Sequence, residues 1–115
     1  MRFKEEHDEC QRQELSSSLC RKHPRRYPVI VESYNIKTDP CIIKNKYLIP
    51  RETTFGKMKI EFEKYMPGKN PQVSVIYFVN NKVIPINQTI DIIYRENVDV
   101  DGFLYISYTT ESFFG

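Results

Sequence analysis

Apolar residues are sparse at the beginning of the chain, where the pattern predicts surface helices. Over residues 2–22 most positions are polar, and a thin apolar stripe consists of Phe3, Cys10, Leu15 and Leu19. The four-residue step from Leu15 to Leu19 is typical of one helix face, so the segment predicts one or two short surface helices. The helical segment should end at His23, because a proline disfavours the helical conformation in the residue before it.

Two runs of β-branched and aromatic residues follow and predict strands. Residues 27–32, YPVIVE, carry a proline near their beginning, which the start of a strand tolerates. Asp39-Pro40 indicates a turn or loop between Asn35 and Asn45. Residues 46–50, KYLIP, then predict a second strand that is antiparallel to the first.

The middle of the chain predicts one longer amphipathic helix. Thr54 is a candidate N-cap, and Pro67-Gly68 should stop the helix after about Met66. The apolar residues between these limits recur at spacings of three and four, which places them on one face: Phe55, Met58, Phe62, Tyr65 and Met66.

The last third of the chain returns to strand patterns. Residues 72–80, QVSVIYFVN, are the most apolar window and predict a buried central strand. Asn80-Asn81-Lys82 predicts a turn into a short Val83-Ile84 strand, and Asp101-Gly102 predicts a turn before a final strand over residues 103–109. The remaining apolar positions have helical spacing and predict a helix of one or two turns: Ile90, Ile93 and Tyr94.

This order of elements predicts an α+β fold in a single domain. One amphipathic helix can bury its apolar stripe against one face of a mixed sheet of about four strands. Strand, strand, helix, strand, short strand, short helix and strand is the order of a ubiquitin-like β-grasp. A chain of 115 residues supports one core of this size and leaves no room for a second domain.

Composition narrows the class of protein. Hydrophobic residues make up 40% and charged residues 28%, and no apolar run approaches the roughly 18 residues of a membrane span. The N-terminal residues lack the apolar region of a secretory signal, so we expect a reducing, interior compartment and three free thiols, Cys10, Cys20 and Cys41. A net charge of +2 gives little reason to expect a nucleic-acid partner.

Three short motifs suggest chemistry, and none of them is complete. Residues 97–102, NVDVDG, resemble the first half of a calcium loop, but position twelve is Tyr108 where a bidentate glutamate is required. Cys20 and His23 lack an orienting carboxylate in the sequence around them. We therefore expect no metal, no cofactor and no enzymatic activity. The basic run at residues 21–26, RKHPRR, could contact phosphates, anionic lipids or acidic peptide flanks, or be a solvated face.

Side chains in the strand predicted at residues 46–50 alternate between the two faces of the sheet, and this alternation matters for binding. Tyr47 and Ile49 should point to one face of the sheet, and Lys46 and Leu48 to the other. Both faces are then apolar in part, so each must be covered or reserved for a partner. We expect the N-terminal helices to cover the outer face and to leave a groove between helix and strand.

At this point the sequence resembles a known family, the autophagy ubiquitin-like modifiers. These are autophagy-related protein eight, the microtubule-associated light chain three proteins and the GABA-receptor-associated proteins. The resemblance covers nearly the whole chain, and its pieces occur in the family's order: FKEEH at 3–7, Pro24, RYPVIVE at 26–32, KYLIP at 46–50, FVNN at 78–81, DGFLY at 101–105 and the final Phe114-Gly115.

The resemblance implies a β-grasp with two additional N-terminal helices, and a groove that binds aromatic-x-x-aliphatic motifs of cargo receptors and autophagy factors. The family's pockets, carried over position by position, imply a site for the aromatic anchor at Leu19, Pro28, Ile30, Lys46, Leu48 and Phe103. They imply a site for the aliphatic anchor at Tyr47, Ile49, Pro50 and Met58. Arg26 would meet acidic residues beside the motif. An extended peptide could then add to the edge of strand 46–50 as a further strand.

The resemblance also implies a division of the chain and a reactive terminus. Residues 1–24 would be the helical extension, 25–109 the core, and 110–115 a tail with Phe113 and Phe114 as the recognition handle. Gly115 would be joined to phosphatidylethanolamine by activating and conjugating enzymes, and a cysteine protease would process or release it. The expected location is the cytoplasm and, for the lipidated form, the autophagosome membrane.

Departures and rival interpretations stay open from the sequence. Leu15, Glu61 and Tyr65 differ from the residues that the family commonly has there, so we expect an altered ligand preference. One alternative is a β-grasp adaptor that binds peptides without conjugation. The other is a protein-conjugated modifier of the autophagy-related protein twelve type, against which the segments 27–31 and 46–50 argue.

Overall fold

The computed structural model describes residues 2–110, which form four helices and five strands. The helices and strands have these bounds in chain order: α1 Phe3–Glu6, α2 Glu9–Lys22, β1 Arg26–Ser33, β2 Lys46–Pro50, α3 Phe55–Glu63, β3 Val75–Val79, β4 Lys82–Val83, α4 Ile90–Asn97 and β5 Leu104–Thr110. Three expected functional residues, Phe113, Phe114 and Gly115, lie outside the described residues.

The strands form one mixed sheet in the order β2-β1-β5-β3-β4. Its centre is the parallel pair of β1 and β5, in which Val29 faces Leu104 and Ser33 faces Tyr108. β2 pairs with β1 in the antiparallel sense, as predicted, and β3 pairs antiparallel with both β5 and β4. β2 is therefore the strand at one margin of the sheet.

The two faces of the sheet are covered by different helices. On one face, α3 buries Phe55, Met58 and Phe62 in the main core. On the other face, Phe3 of α1 packs with Ile30 and Phe103 in a smaller cluster, and Leu15 and Leu19 of α2 lie against it. The expectation that the N-terminal helices cover the outer face is met by this second cluster, although Cys10 is exposed and does not extend the stripe.

Several predicted boundaries differ from the observed ones for local reasons. α2 is a single helix of 14 residues, because an Asp8–Gln11 capping box starts it and satisfies two backbone amides. α3 ends at Glu63, three residues before the predicted end, because the chain tightens into turns in which the Tyr65 and Met66 amides donate to the carbonyls of Phe62 and Glu63. β3 begins at Val75, because the segment around Asn70 forms turns in which the Val73 amide donates to the Asn70 carbonyl.

The turns lie where the sequence predicts them, except that Lys82 already belongs to β4, so this strand runs one residue earlier than the predicted Val83-Ile84. Asn80 and Asn81 both have positive φ, 49° and 67°, as a tight two-residue hairpin between β3 and β4 requires. Gly102 has a φ of 90° in the turn before β5, and its amide donates to the Asp99 carbonyl at 2.9 Å. Within residues 2–110, no helix combines the length and the apolar character that crossing a bilayer would need.

Candidate functional site: a groove along the edge strand

β2 lies at the sheet margin, and its outward backbone groups pair with no other strand of residues 2–110. In its register with β1, Val29 faces Tyr47 and Pro28 faces Leu48. Pro28 has no amide hydrogen to donate, so the pairs that exchange hydrogen bonds are those of Tyr47 and Ile49. The amide and carbonyl groups of Lys46 and Leu48 consequently point away from β1. They can pair with an added strand.

A pocket lies on the outer face of β2, between the strand and α2, and we call it the α2 pocket. It has a volume of about 380 Å³. Phe103 is almost fully buried and Leu19 is half-buried there. Its lining residues are mostly apolar and are ringed by cations: Leu15, Leu19, Arg26, Lys44, Lys46, Tyr47, Leu48 and Phe103. The pocket can take a large apolar side chain.

A second pocket lies between β2 and α3, and we call it the α3 pocket. Its volume is about 370 Å³. Met58 of α3 and Ile49 of β2 are buried with 1% and 6% of their surface exposed, so only a small apolar part reaches the pocket. Its lining residues are Arg26, Lys44, Tyr47, Leu48, Ile49, Pro50, Thr53, Lys57, Met58 and Glu61.

Four cations and one carboxylate line the two pockets. Lys44 stands between the pockets, with its Nζ 4.9 Å from the Tyr47 ring centre and 5.1 Å from that of Tyr65. Arg26 also lines both pockets, and its Nη1 lies 3.5 Å from the Leu48 carbonyl oxygen. The groove is therefore positive along most of its length, and Glu61 in the α3 pocket is the exception.

Tyr47 connects the groove to the core. Its hydroxyl donates to the Lys44 carbonyl at 2.6 Å, and its ring packs 4.8 Å from that of Phe62. Burial raises the pKa of this phenol far above its usual value, so it stays protonated and keeps its donor role. The Lys44 backbone, and with it the wall between the pockets, is held in place by this bond.

The position of α2, and thus the α2 pocket, depends on a buried polar network. Arg12 Nε donates to Asp101 Oδ2 at 2.8 Å, and the Asp101 side chain has no exposed surface. Ser16 Oγ donates to the Asp101 carbonyl at 2.5 Å, and the Tyr105 hydroxyl donates to Asp101 Oδ2 at 2.6 Å. Because Asp101 receives these bonds, α2 is fixed to the turn that precedes β5.

The same network accounts for the motif that resembles half a calcium loop. Asp99 pairs with Lys4 at 2.7 Å, and Asp101 is occupied by Arg12 and Tyr105. Hydrogen bonds with Lys4 and the Asp101 amide, opposed by burial, leave the pKa of Asp99 below its usual value. Within residues 2–110, no group of three or more histidines, cysteines or acidic residues could hold a metal ion. The loop therefore bonds the N-terminal helices to the rest of the fold and does not bind a metal within the described residues.

The structure brings together most of the residues expected at the site. Leu19, Lys46, Leu48 and Phe103 line the α2 pocket, and Tyr47, Ile49, Pro50 and Met58 line the α3 pocket. Pro28 and Ile30 are behind the groove instead. Pro28 is buried in β1 opposite Leu48, and Ile30 is fully buried under the α2 pocket beside Phe103.

Sequence reasoning missed three lining residues, Lys44, Thr53 and Lys57. Lys44 precedes β2 in an irregular loop, where no periodic pattern assigns a facing direction. Lys57 is four residues before Glu61, so the two side chains lie on the same face of α3, next to the buried Met58. That spacing was a usable signal for placing Lys57 at the rim of the α3 pocket.

The sheet order, the central parallel pair and the single helix across one face define a ubiquitin-like protein. The family model described as "Autophagy protein Atg8 ubiquitin like" matches residues 11–115. The chain belongs to this Atg8 family, as the sequence resemblance predicted, and the β-grasp with N-terminal helices is confirmed.

Relatives and solved structures agree over almost the whole chain. Autophagy-related protein 8 of Dictyostelium discoideum is 39% identical over 113 residues, covering 98% of this chain and 93% of the relative. Autophagy-related protein 8A of Oryza sativa subsp. indica is 40% identical over 114 residues, covering 98% and 94%. The crystal structure of Trypanosoma brucei ATG8 superposes with a TM-score of 0.86 at 28% identity, covering 96% and 95%.

A further structure shows a relative with a peptide. Plasmodium falciparum Atg8, in complex with a Plasmodium falciparum Atg3 peptide, has a TM-score of 0.85 and 27% identity to this chain, covering 95% of each. The chain is therefore an autophagy protein of the ubiquitin-like class.

Proposed function

We propose that this chain is a modifier that is joined through Gly115 to phosphatidylethanolamine and that docks aromatic-x-x-aliphatic motifs of cargo receptors and autophagy factors. It acts in autophagosome formation, in the cytoplasm and on the autophagosome membrane. The chain itself catalyses nothing in this proposal. Residues 1–24 are the helical extension, 25–109 the modifier core, and 110–115 the tail.

The observation that carries the docking proposal is the placement of two pockets on opposite faces of one free edge strand. Residues i and i+3 of an extended peptide point to opposite faces and are about 10 Å apart. A peptide paired with the outward groups of Lys46 and Leu48 could therefore put its aromatic residue in the α2 pocket. Its aliphatic residue would enter the α3 pocket. The spacing of the motif and the geometry of the edge fit each other.

The charge of the groove supports the same class of ligand. Arg26, Lys44 and Lys46 surround the α2 pocket. Acidic residues next to the aromatic anchor would be attracted to them, while Glu61 would disfavour acidic residues near the aliphatic anchor. Each buried anchor contributes about 1.5 to 3 kcal/mol before ordering costs, and the main-chain hydrogen bonds to β2 and the charge attraction add to the anchors, so we expect affinities on the order of micromolar. Many copies on one membrane would raise the effective affinity.

The chemistry proposed for Gly115 is acyl transfer by partner enzymes. An activating enzyme uses ATP to make the acyl adenylate with release of pyrophosphate, and a thiolate then displaces AMP to form a thioester. A thiolate of the conjugating enzyme then displaces this first thiolate and takes over the acyl group, and finally the lipid amine displaces the second thiolate and forms the amide. Glycine has no Cβ, which suits a narrow enzyme channel. Phe113 and Phe114 would be the handle that these enzymes, and the processing protease, recognise.

Peptide binding is tested by titrating one Trp-x-x-Leu peptide in a calorimeter. We expect micromolar affinity for the unmodified chain and a loss of about tenfold or more for Leu48→Arg, with Lys46→Ala weakened less. Val83→Arg is the matched control, because Val83 is 65% exposed on β4 at the opposite margin of the sheet. Equal affinities for Leu48→Arg and Val83→Arg would contradict docking at β2.

Conjugation is tested separately, with matching activating and conjugating enzymes, ATP and phosphatidylethanolamine liposomes. We expect a faster-migrating lipidated band that is absent for Gly115→Ala. Peptide binding without this band would select the noncovalent adaptor. An isopeptide-linked protein adduct would select the protein-conjugated modifier.

A further inference from the structure

The α3 pocket combines an apolar floor with a charged rim. Met58 and Ile49 form the floor, with 1% and 6% of their surface exposed. Lys44, Lys57 and Glu61 also line the pocket, and all three side chains reach solvent. We call these three residues the rim. A ligand side chain that rests on the floor therefore ends beside one carboxylate and two ammonium groups.

The Glu61 carboxylate has capacity for a ligand. Its Oε2 accepts from Lys64 Nζ at 3.1 Å, and no other residue in the range 2–110 donates a hydrogen bond to this carboxylate. Lys64 lines neither pocket of the groove, so it holds the carboxylate from outside. The charge of Glu61 also acts on the groove, because burial, then Tyr65 and then Glu61 raise the pKa of the Tyr47 phenol.

The two lysines of the rim can donate hydrogen bonds to a ligand. Lys44 Nζ lies over the rings of Tyr47 and Tyr65, and Lys57 forms no ion pair with any of residues 2–110. An ammonium group only donates hydrogen bonds, whereas an ionised carboxylate only accepts them. The rim therefore offers donors and an acceptor to one ligand side chain.

A primary amide is the group that matches both parts of the rim. It donates through its NH₂ and accepts through its carbonyl oxygen, so it can bond to Glu61 and to Lys57 at the same time. A ligand carboxylate would be repelled by Glu61, and a ligand ammonium group by the lysines. An aliphatic group offers Glu61 no hydrogen bond and shields it from water, which costs free energy. The rim thus favours a side chain with an apolar stem and an amide end.

Glutamine has this chemistry, because its two methylene groups can pack on the floor while its amide reaches the rim. Resting on the docking function proposed above, we propose that Glu61 determines specificity at the fourth motif residue, and that the α3 pocket accepts glutamine there nearly as well as leucine. The hydrogen bonds that glutamine gains and the burial that leucine gains are of similar size. The α2 pocket keeps its preference for an aromatic residue, since none of the described residues that line it is acidic.

Calorimetric titration of the full-length chain with two peptides tests this proposal. The peptides differ only in the fourth motif residue, Trp-x-x-Leu and Trp-x-x-Gln, and their affinities should agree within about threefold. Glu61→Leu should make the leucine peptide the tighter one by about tenfold or more, because this variant removes the acceptor and extends the floor. Glu96→Leu is the matched control and should leave the ratio unchanged, since Glu96 is an exposed residue of α4 that lines neither pocket.

Two further variants separate the parts of the rim. Lys57→Met keeps the stem and removes the donor, so it should weaken the glutamine peptide about threefold and leave the leucine peptide unchanged. Lys59→Met is its control, because Lys59 is on the same helix but does not line the α3 pocket. Glu61→Gln keeps the shape and removes the negative charge. A Trp-x-x-Glu peptide should therefore bind this variant about two- to fivefold more tightly than it binds the unmodified chain.

The outcomes distinguish this proposal from the docking function itself. Two results would overturn the role of Glu61 and leave docking at β2 intact: a glutamine peptide weaker than the leucine peptide by more than about tenfold on the unmodified chain, or equal leucine-to-glutamine ratios for Glu61→Leu and Glu96→Leu. A glutamate peptide tighter than the glutamine peptide would also overturn it, since the cations would then govern the pocket. Failure of all three peptides to bind the unmodified chain would contradict docking, and this proposal with it.

Discussion

Arg12 and Asp101 are 89 positions apart in the chain, and they form an ion pair of 2.8 Å in which Asp101 has no exposed side-chain surface. Asp101→Ala should be strongly destabilising, because it leaves a buried guanidinium without its carboxylate. We expect the thermal midpoint to fall on the order of 10 °C. Differential scanning calorimetry measures the change.

The matched control for that variant is Asp99→Ala. Asp99 pairs with Lys4, whose side chain is 47% exposed, so its loss should cost much less. Because the Arg12–Asp101 pair fixes α2, Asp101→Ala should also weaken the Trp-x-x-Leu peptide more than Asp99→Ala does. Similar melting points for the two variants would mean that the buried pair does not hold the helix.

Gly102 is the glycine whose substitution the structure forbids most clearly. Its φ of 90° is unfavourable for any other residue, and an added Cβ would overlap Ser16 Oγ. Gly102→Ala should lower the free energy of unfolding by about 1 to 3 kcal/mol, measured by denaturant titration. Gly68→Ala should be nearly neutral, since an added Cβ there has no neighbour within 4 Å. A neutral Gly102→Ala would show that α2 can move away at no cost.

Buried tyrosines predict a loss of stability at alkaline pH. Burial raises the pKa of Tyr94 and of Tyr108 from 10.0 to about 12, and nearby Asp39 adds to the effect at Tyr108. A raised pKa in the folded state means that stability is complete below pH 10 and decreases as the pH rises through 12. Denaturant titrations between pH 9 and 12 should show this decrease, and Tyr108→Phe should reduce it. Phenol absorbance that titrates entirely near pH 10 would contradict this explanation.

Arg26 should act through charge, because it stands over both pockets of the groove with its Nη1 near the Leu48 carbonyl. Arg26→Ala should weaken a motif peptide with acidic flanks about two- to fivefold at low salt. It should leave a peptide with neutral flanks nearly unchanged, and the difference should shrink as salt screens the charges. Arg95→Ala is the control, since Arg95 pairs with Asp91 on α4. Equal losses for both peptides would assign Arg26 a packing role.

Local patterns predicted the parts of the fold that depend on neighbouring residues. The bounds of β2, Lys46–Pro50, coincide with the predicted strand, and its alternation correctly placed Tyr47 and Ile49 on one face, which the structure shows to be the core side. The end of α3 was placed too late, because Met66 keeps the helical spacing and stays buried although the helix ends at Glu63. The spacing of apolar residues indicates which side chains are buried. In this segment Met66 is still buried although the helical hydrogen bonds have already ended.

The site depends on contacts that no local pattern contains. The α2 pocket exists because Asp101 holds Arg12 and Ser16, which are more than 80 positions away. Lys44 reaches both pockets from an irregular loop, where its direction is set by the Tyr47 hydroxyl on its carbonyl. The residues of the groove were predicted from the family resemblance. Only the structure shows that Ile30 is buried beneath the groove and does not line it.

The parallel pairing of β1 and β5 also orients the molecule with respect to whatever is attached beyond Thr110. β5 finishes at the pole opposite to Arg25 and Arg26, roughly 30 Å away along the strands. Electrostatic attraction at physiological salt fades within about 8 Å. A bilayer that meets the molecule at the end of β5 would therefore lie beyond the reach of these arginines, which would face outward to the surrounding solution.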